Sequence, residues 1–72
     1  MKVISFQFKD NADRLKTAEL IRKHYASSNA YETTDTDGFW IHIPENYKDF
    51  VQVKNLCLSH DGEIAEYATI KH

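Results

Sequence analysis

The chain has 72 residues, 42% hydrophobic and 28% charged, with nine basic and eleven acidic side chains, a formal net charge of −2 and one cysteine. So short a chain makes one domain, residues 1–72, near the size below which a hydrophobic core needs staples. Lone Cys57 excludes an intramolecular disulfide and a multi-cysteine metal site, the acidic balance argues against nucleic acid, and no apolar run reaches membrane-spanning length.

Residues 2–8 alternate, with Ile4, Phe6 and Phe8 on one face and Val3, Ser5 and Gln7 on the other, which predicts a half-buried strand. Asp10 or Asn11 is placed to cap the helix that follows, and Asp13 sits where the dipole favours a negative charge. Leu15, Ala18, Ile21 (or the adjacent Leu20) and Tyr25 recur at helical spacing, so this helix is expected to bury one stripe and to end near Ala26. Tyr31 to Thr36 is polar and threonine-rich, as edge strands often are. Asp37-Gly38 supplies a primed turn, and Phe39 to Ile43 returns with Phe39, Ile41 and Ile43 on one face and Trp40 and His42 on the other.

Pro44 ends that strand, and either Pro44 or the pair Asn46 and Asp49 starts a second helix. Tyr47, Phe50, Val51, Val53, Leu56, Cys57 and Leu58 form its broad apolar stripe, and Ser59-His60-Asp61-Gly62 stops it, with Gly62 available for a left-handed residue. Glu63 to Lys71 completes the order as a last strand, with Ile64, Ala68 and Ile70 as its better core set.

The order βαββαβ is that of the α+β, ferredoxin-like fold, in which two helices cover one face of a four-stranded antiparallel sheet of strand order 4-1-3-2. The expected core is Ile4, Phe6, Phe8, Leu15, Ala18, Ile21, Phe39, Ile41, Ile43, Phe50, Val53, Cys57 and Ile70. With the first and third strands central, Ser5 and Gln7 lie beside Trp40 and His42 on the face the helices leave open, and Tyr67 flanks them. These five are the candidate partner-binding residues, because a large aromatic on a flat sheet is costly to leave in water. The alternative is a Trp40 covered by its own neighbours or by residues Ile70 to His72.

The topology resembles that of the RNA-recognition motif, and Gly38-Phe39 matches two positions of its third-strand signature. Asp37 stands where that family has a basic residue and Ile41 where it has a stacking aromatic; exposing Phe39 and Ile41 would also expose Phe6 and Phe8. Acylphosphatases share the size class, but the loop Lys9 to Asp13 has no glycine to cradle a phosphate.

No catalytic, metal-binding or cofactor-binding residue is expected. The histidines at 24, 42, 60 and 72 have no ligand spacing. Cys57 lies in an apolar stripe near a helix C-terminus, where the dipole opposes a thiolate. The leading expectation is a non-enzymatic, cytoplasmic protein-binding domain, an inhibitor, adaptor or regulator that uses the open sheet face and self-associates through it or the polar edge strand. The absence of a signal-peptide pattern after Met1 and the single cysteine favour that compartment. The alternatives are a small-molecule sensor and, less favoured, nucleic-acid binding through Arg14, Lys16, Arg22 and Lys23.

Overall fold

The computed structural model describes residues 2–45 and 49–65. They form β1 (Val3–Phe8), α1 (Asn11–His24), a 3-10 turn at Ala26–Ser28, β2 (Tyr31–Asp35), β3 (Gly38–Pro44), α2 (Phe50–Ser59) and β4 (Glu63–Ile64). The sheet order is β2-β3-β1-β4 with every pairing antiparallel, so the fold is the expected α+β, ferredoxin-like arrangement. Phe6 pairs with Ile41, Ile4 with Ile43 and Phe8 with Phe39, which puts these apolar residues under the helices.

α1 starts because Asp10 has extended backbone and its Oδ1 accepts from the Ala12 amide at 2.8 Å, while Asp13 meets the positive end of the dipole. It stops at His24, two residues short of the expected end: Tyr25 leaves helical geometry and its amide closes onto the Ile21 carbonyl. Asn29, at φ 58°, then turns the chain toward β2. The hairpin turn falls on Thr36-Asp37, one position before the expected Asp37-Gly38: Asp35 pairs with Gly38, which opens β3 at φ 134°, and neither turn residue has the positive φ of a primed turn.

The buried core is Phe6, Phe8, Ala18, Ile21, Ile41, Ile43, Val53 and Cys57, with Ile4, Phe39 and Phe50 half-buried against it. Burial lifts the Cys57 thiol to about 12, so it packs as a small hydrophobe. Leu15 corrects the expected core: it is 47% exposed. The inward stripe of α1 is Arg14, Thr17, Ala18 and Ile21, and Leu15 stands about 100° around the helix from Arg14. Thr17 tolerates burial because its hydroxyl donates to the Asp13 carbonyl at 2.8 Å. Ile64 is a second correction: its pairing with Phe6 aims it to the helix side, but at the sheet edge it stays 58% exposed. Ala68, Ile70 and the rest of the strand expected to run to Lys71 lie outside the described residues, as do Asn46 and Tyr47.

Gly62 is required for a different reason from the one expected. The left-handed residue is Asp61 at φ 70°. Gly62 instead lets the backbone pass over Phe8, since a Cβ there would lie 2.7 Å from Phe8 Cζ and 2.8 Å from the Cys57 carbonyl. Gly62→Ala is therefore expected to cost about 1–3 kcal/mol as overpacking, which a urea melt against wild type measures.

Candidate functional site: a ring ladder on the helix-free sheet face

The register across β1 and β3 brings Ser5 opposite His42 and Gln7 opposite Trp40, as the alternation implied. The two-residue turn then sets β2, placing Tyr31 opposite His42 and Thr33 opposite Trp40. Three strands thus contribute to one cluster on the face away from the helices.

His42 is its centre, on a central strand and 0% exposed. Nδ1 lies 2.8 Å from the Ser5 hydroxyl and Nε2 lies 2.7 Å from the Thr33 hydroxyl, so the ring staples β1 to β2 across β3. In either neutral tautomer one ring nitrogen donates and the other accepts, and each hydroxyl rotates to match. The imidazole stacks with Tyr31 at 4.8 Å and with Trp40 at 6.1 Å and 9°. Trp40 Nε1 donates to Asp35 Oδ1 at 3.1 Å, and the Asp37 amide donates to the same oxygen at 2.9 Å. Gln7 Nε2 donates to the Asp37 carbonyl, tying β1 to the hairpin turn.

The expectation of a solvent-open Trp40 and His42 is corrected by these positions. Trp40 is 2% exposed and Ser5 is buried too; a buried polar group must be hydrogen-bonded, and here the strands supply the partners. Gln7 is half-buried, and Tyr67 lies outside the described residues. Tyr31, Thr33 and Asp35 belong to the cluster although the sequence reading did not name them. Alternation already puts the odd residues of β2 on the face of Trp40 and His42, but the expected Asp37-Gly38 turn sets 35 opposite 40 and 33 opposite 42; the turn at Thr36-Asp37 sets 33 opposite 40 and 31 opposite 42 instead.

Burial pushes the His42 imidazole below the ordinary value of 6.5, against a smaller upward pull from the Asp35 carboxylate. The unfolded chain takes up the proton near 6.5 while the folded chain resists it. The stability this confers is whole above 6.5 and falls as pH drops through 6.5 toward the folded value, by at most about 1.4 kcal/mol per pH unit. Urea midpoints on either side of that range check this, and His42→Gln is expected to flatten this part of the profile.

The basic helix is also rearranged by the fold. Arg14 is 7% exposed, donating to the Thr33 carbonyl at 3.0 Å, the Thr34 hydroxyl at 3.2 Å and Asn11 Oδ1 at 2.9 Å. Arg22 bridges Glu32 at 2.7 Å. Of the four basic residues proposed for nucleic acid, Lys16 and Lys23 alone stand exposed without such a bond among the described residues.

Described residues also line concavities. A pit of about 20 Å³ lies between α1 and β2, lined by Ala18, Ile21, Arg22, Ala30, Tyr31, Glu32 and Ile41. An open hollow of about 500 Å³ is lined by Lys9, Asp13, Leu58, Asp61, Gly62 and Glu63. Among the described residues no group of three His, Cys, Asp or Glu side chains is placed to hold a metal ion, and no helix is long and apolar enough to cross a membrane.

No family model matches the chain, and no solved structure matches it. A segment of 36 residues is 53% identical to part of acetyl-CoA carboxylase 2 from Oryza sativa subsp. japonica, covering 47% of this chain. The match spans about 2% of the carboxylase's length.

Proposed function

We propose that the chain is a non-enzymatic, cytoplasmic protein-binding domain of the inhibitor, adaptor or regulator kind, able to associate with itself. The observation that carries this reading is the placement of its apolar surface. Leu15, Tyr31, Val51, Leu58 and Ile64 stand about half exposed on the helices and the two edge strands, whereas Trp40, His42 and Ser5 on the other sheet face are buried and hydrogen-bonded. Contact therefore falls on the helical layer and the sheet edges, with Trp40, His42, Ser5 and Gln7 shaping the sheet behind them. Val51 and Leu58 lie seven residues apart on one stripe of α2, and the other exposed residues of that helix, Gln52, Asn55 and Ser59, are uncharged. Interface cores are depleted of charge in the same way.

The test is photo-crosslinking in host lysate with the probe placed at residue 15, 31 or 58 of the folded chain. A discrete protein adduct from at least one position supports the reading. Failure of all three to form any adduct, with itself or with another protein, overturns it.

One observation favours a second reading, small-molecule sensing. The hollow of about 500 Å³ lies beside the loop after β1 and the turn before β4, and it combines Lys9 with Asp13, Asp61 and Glu63. Thermal shift against amino acids and nucleotides tests it; unchanged melting across the panel removes it.

A further inference from the structure

The sheet ends on one side at β2, and no strand among the described residues covers its outer edge. Natural edge strands are guarded by charged side chains, lysine above all, by proline, bulges or very short length, and the acids of β2, Glu32 and Asp35, are bonded within the chain to Arg22 and Trp40. β2 runs Tyr-Glu-Thr-Thr-Asp with an unbroken register against β3, so it carries no lysine, proline or bulge.

α1 lies along this edge. Ala18 and Arg22 line the small pit together with Ala30, Tyr31 and Glu32. Leu15, three residues before Ala18 and seven before Arg22, shares their flank of the helix and leaves about half its surface in water. Beside it lies a buried cation, held by three hydrogen bonds and set 5.6 Å over the Phe39 ring but paired with no carboxylate among the described residues. Arg14 as a whole residue is 7% exposed, yet among the described residues no carboxylate lies within 4.0 Å of its guanidinium and its Nε–H has no acceptor. A buried cation without a counter-ion is costly, and a carboxylate brought to it recovers that cost.

We propose that two copies of this chain pair edge to edge through β2, antiparallel and centred on Thr33, so that Glu32 of each copy reaches Arg14 of the other. The proposal rests on the protein-binding reading and names the partner. A two-fold axis requires self-complementary pairing, and the register that engages all five residues of β2 puts Tyr31 opposite the partner's Asp35 and Glu32 opposite the partner's Thr34. Thr34 is the residue whose hydroxyl already accepts from Arg14. The partner's Glu32 therefore arrives beside the guanidinium that lacks a carboxylate. Glu32 gives Oε1 to Arg22 in its own chain, and Oε2 serves the neighbour. No like charges face each other across the strands. The same axis brings the two α1 flanks that carry Leu15 toward one another over the joined edges.

Sedimentation velocity of the purified chain, from micromolar into millimolar concentration, tests the pairing alongside hydrogen exchange of the β2 amides. The expected result is a reversible dimer whose formation protects residues Tyr31 to Asp35, and whose dissociation constant rises at least about tenfold in Leu15→Lys and in Glu32→Lys. Both positions are at the surface, and circular dichroism checks that each variant remains folded. A chain that stays monomeric throughout overturns the proposal. So does a dimer that neither variant weakens and whose concentration-dependent protection falls on α2. A monomer that still forms crosslinked adducts with another protein removes the β2 pairing and keeps the protein-binding reading; a monomer that forms none removes both.

Discussion

Trp40→Ala is expected to destabilise the domain by about 3–5 kcal/mol, the range for deleting a fully buried large aromatic. The indole is 2% exposed and stacks with His42, and its Nε1 hydrogen bond to Asp35 joins the two strands of the hairpin. A domain of this length holds roughly 4–11 kcal/mol in total, so the variant should lose a large share of its stability. Trp40→Phe separates the contributions. It keeps an apolar ring on the sheet and loses the Nε1 donor, while Asp35 Oδ1 still accepts from the Asp37 amide at 2.9 Å. That variant should lose about 1–2 kcal/mol in a urea melt. Equal and negligible effects of the two substitutions would show that the indole is not packed as described. A loss of partner binding in Trp40→Ala must therefore be read against its folding.

His42→Ala is the second large effect, at about 3–4 kcal/mol. It removes a side chain that is wholly buried and leaves two hydroxyls, those of Ser5 and Thr33, without the ring nitrogens they bond at 2.8 and 2.7 Å. An orphaned buried hydroxyl costs more than a hydrogen bond that was never made. Adding Ser5→Ala and Thr33→Val to His42→Ala should recover part of the loss, because the orphaned groups are then gone. The rings of Trp40 and His42 stack, so the two alanine substitutions should fall short of additivity by about 0.5–3 kcal/mol in a double-mutant cycle. Strict additivity would mean that the ladder is a set of independent contacts.

Protein binding in this chain is best sought on surfaces that the sheet face does not provide. The ladder engages the side chains of Ser5, Thr33, Trp40 and His42 with one another and with Asp35, and Arg22 is held by Glu32. Half-exposed Leu15, Val51 and Leu58 remain on the helical layer, and the β2 edge runs beside the first of them.

Much of the fold was legible in the residues alone. Alternation in β1 and β3 assigned Phe6, Phe8, Ile41 and Ile43 to one side, and a two-fold period admits no other arrangement once that side is buried. The Asp10 cap and the strand order follow from local chemistry and from the way short connections join strands and helices, whereas the hairpin turn falls on Thr36-Asp37, one position before the glycine that marked it. Placement of Ser5, Gln7, Trp40 and His42 side by side was determined by the same alternation.

What tertiary structure decided was which of these polar and half-polar groups meet water. Burial of His42 depends on hydroxyls from two other strands reaching both ring nitrogens, which no local pattern encodes. Burial of Arg14 rather than Leu15 depends on the rotation of α1 over the sheet. That rotation is set by where Ile21 and Ala18 pack and by the Thr33 carbonyl that the guanidinium finds. Gly62 belongs to the same class, because its need comes from the ring of Phe8, more than fifty positions earlier in the chain. Periodicity in a sequence states which side chains share a face; the partners across space decide whether that face is core, ladder or surface.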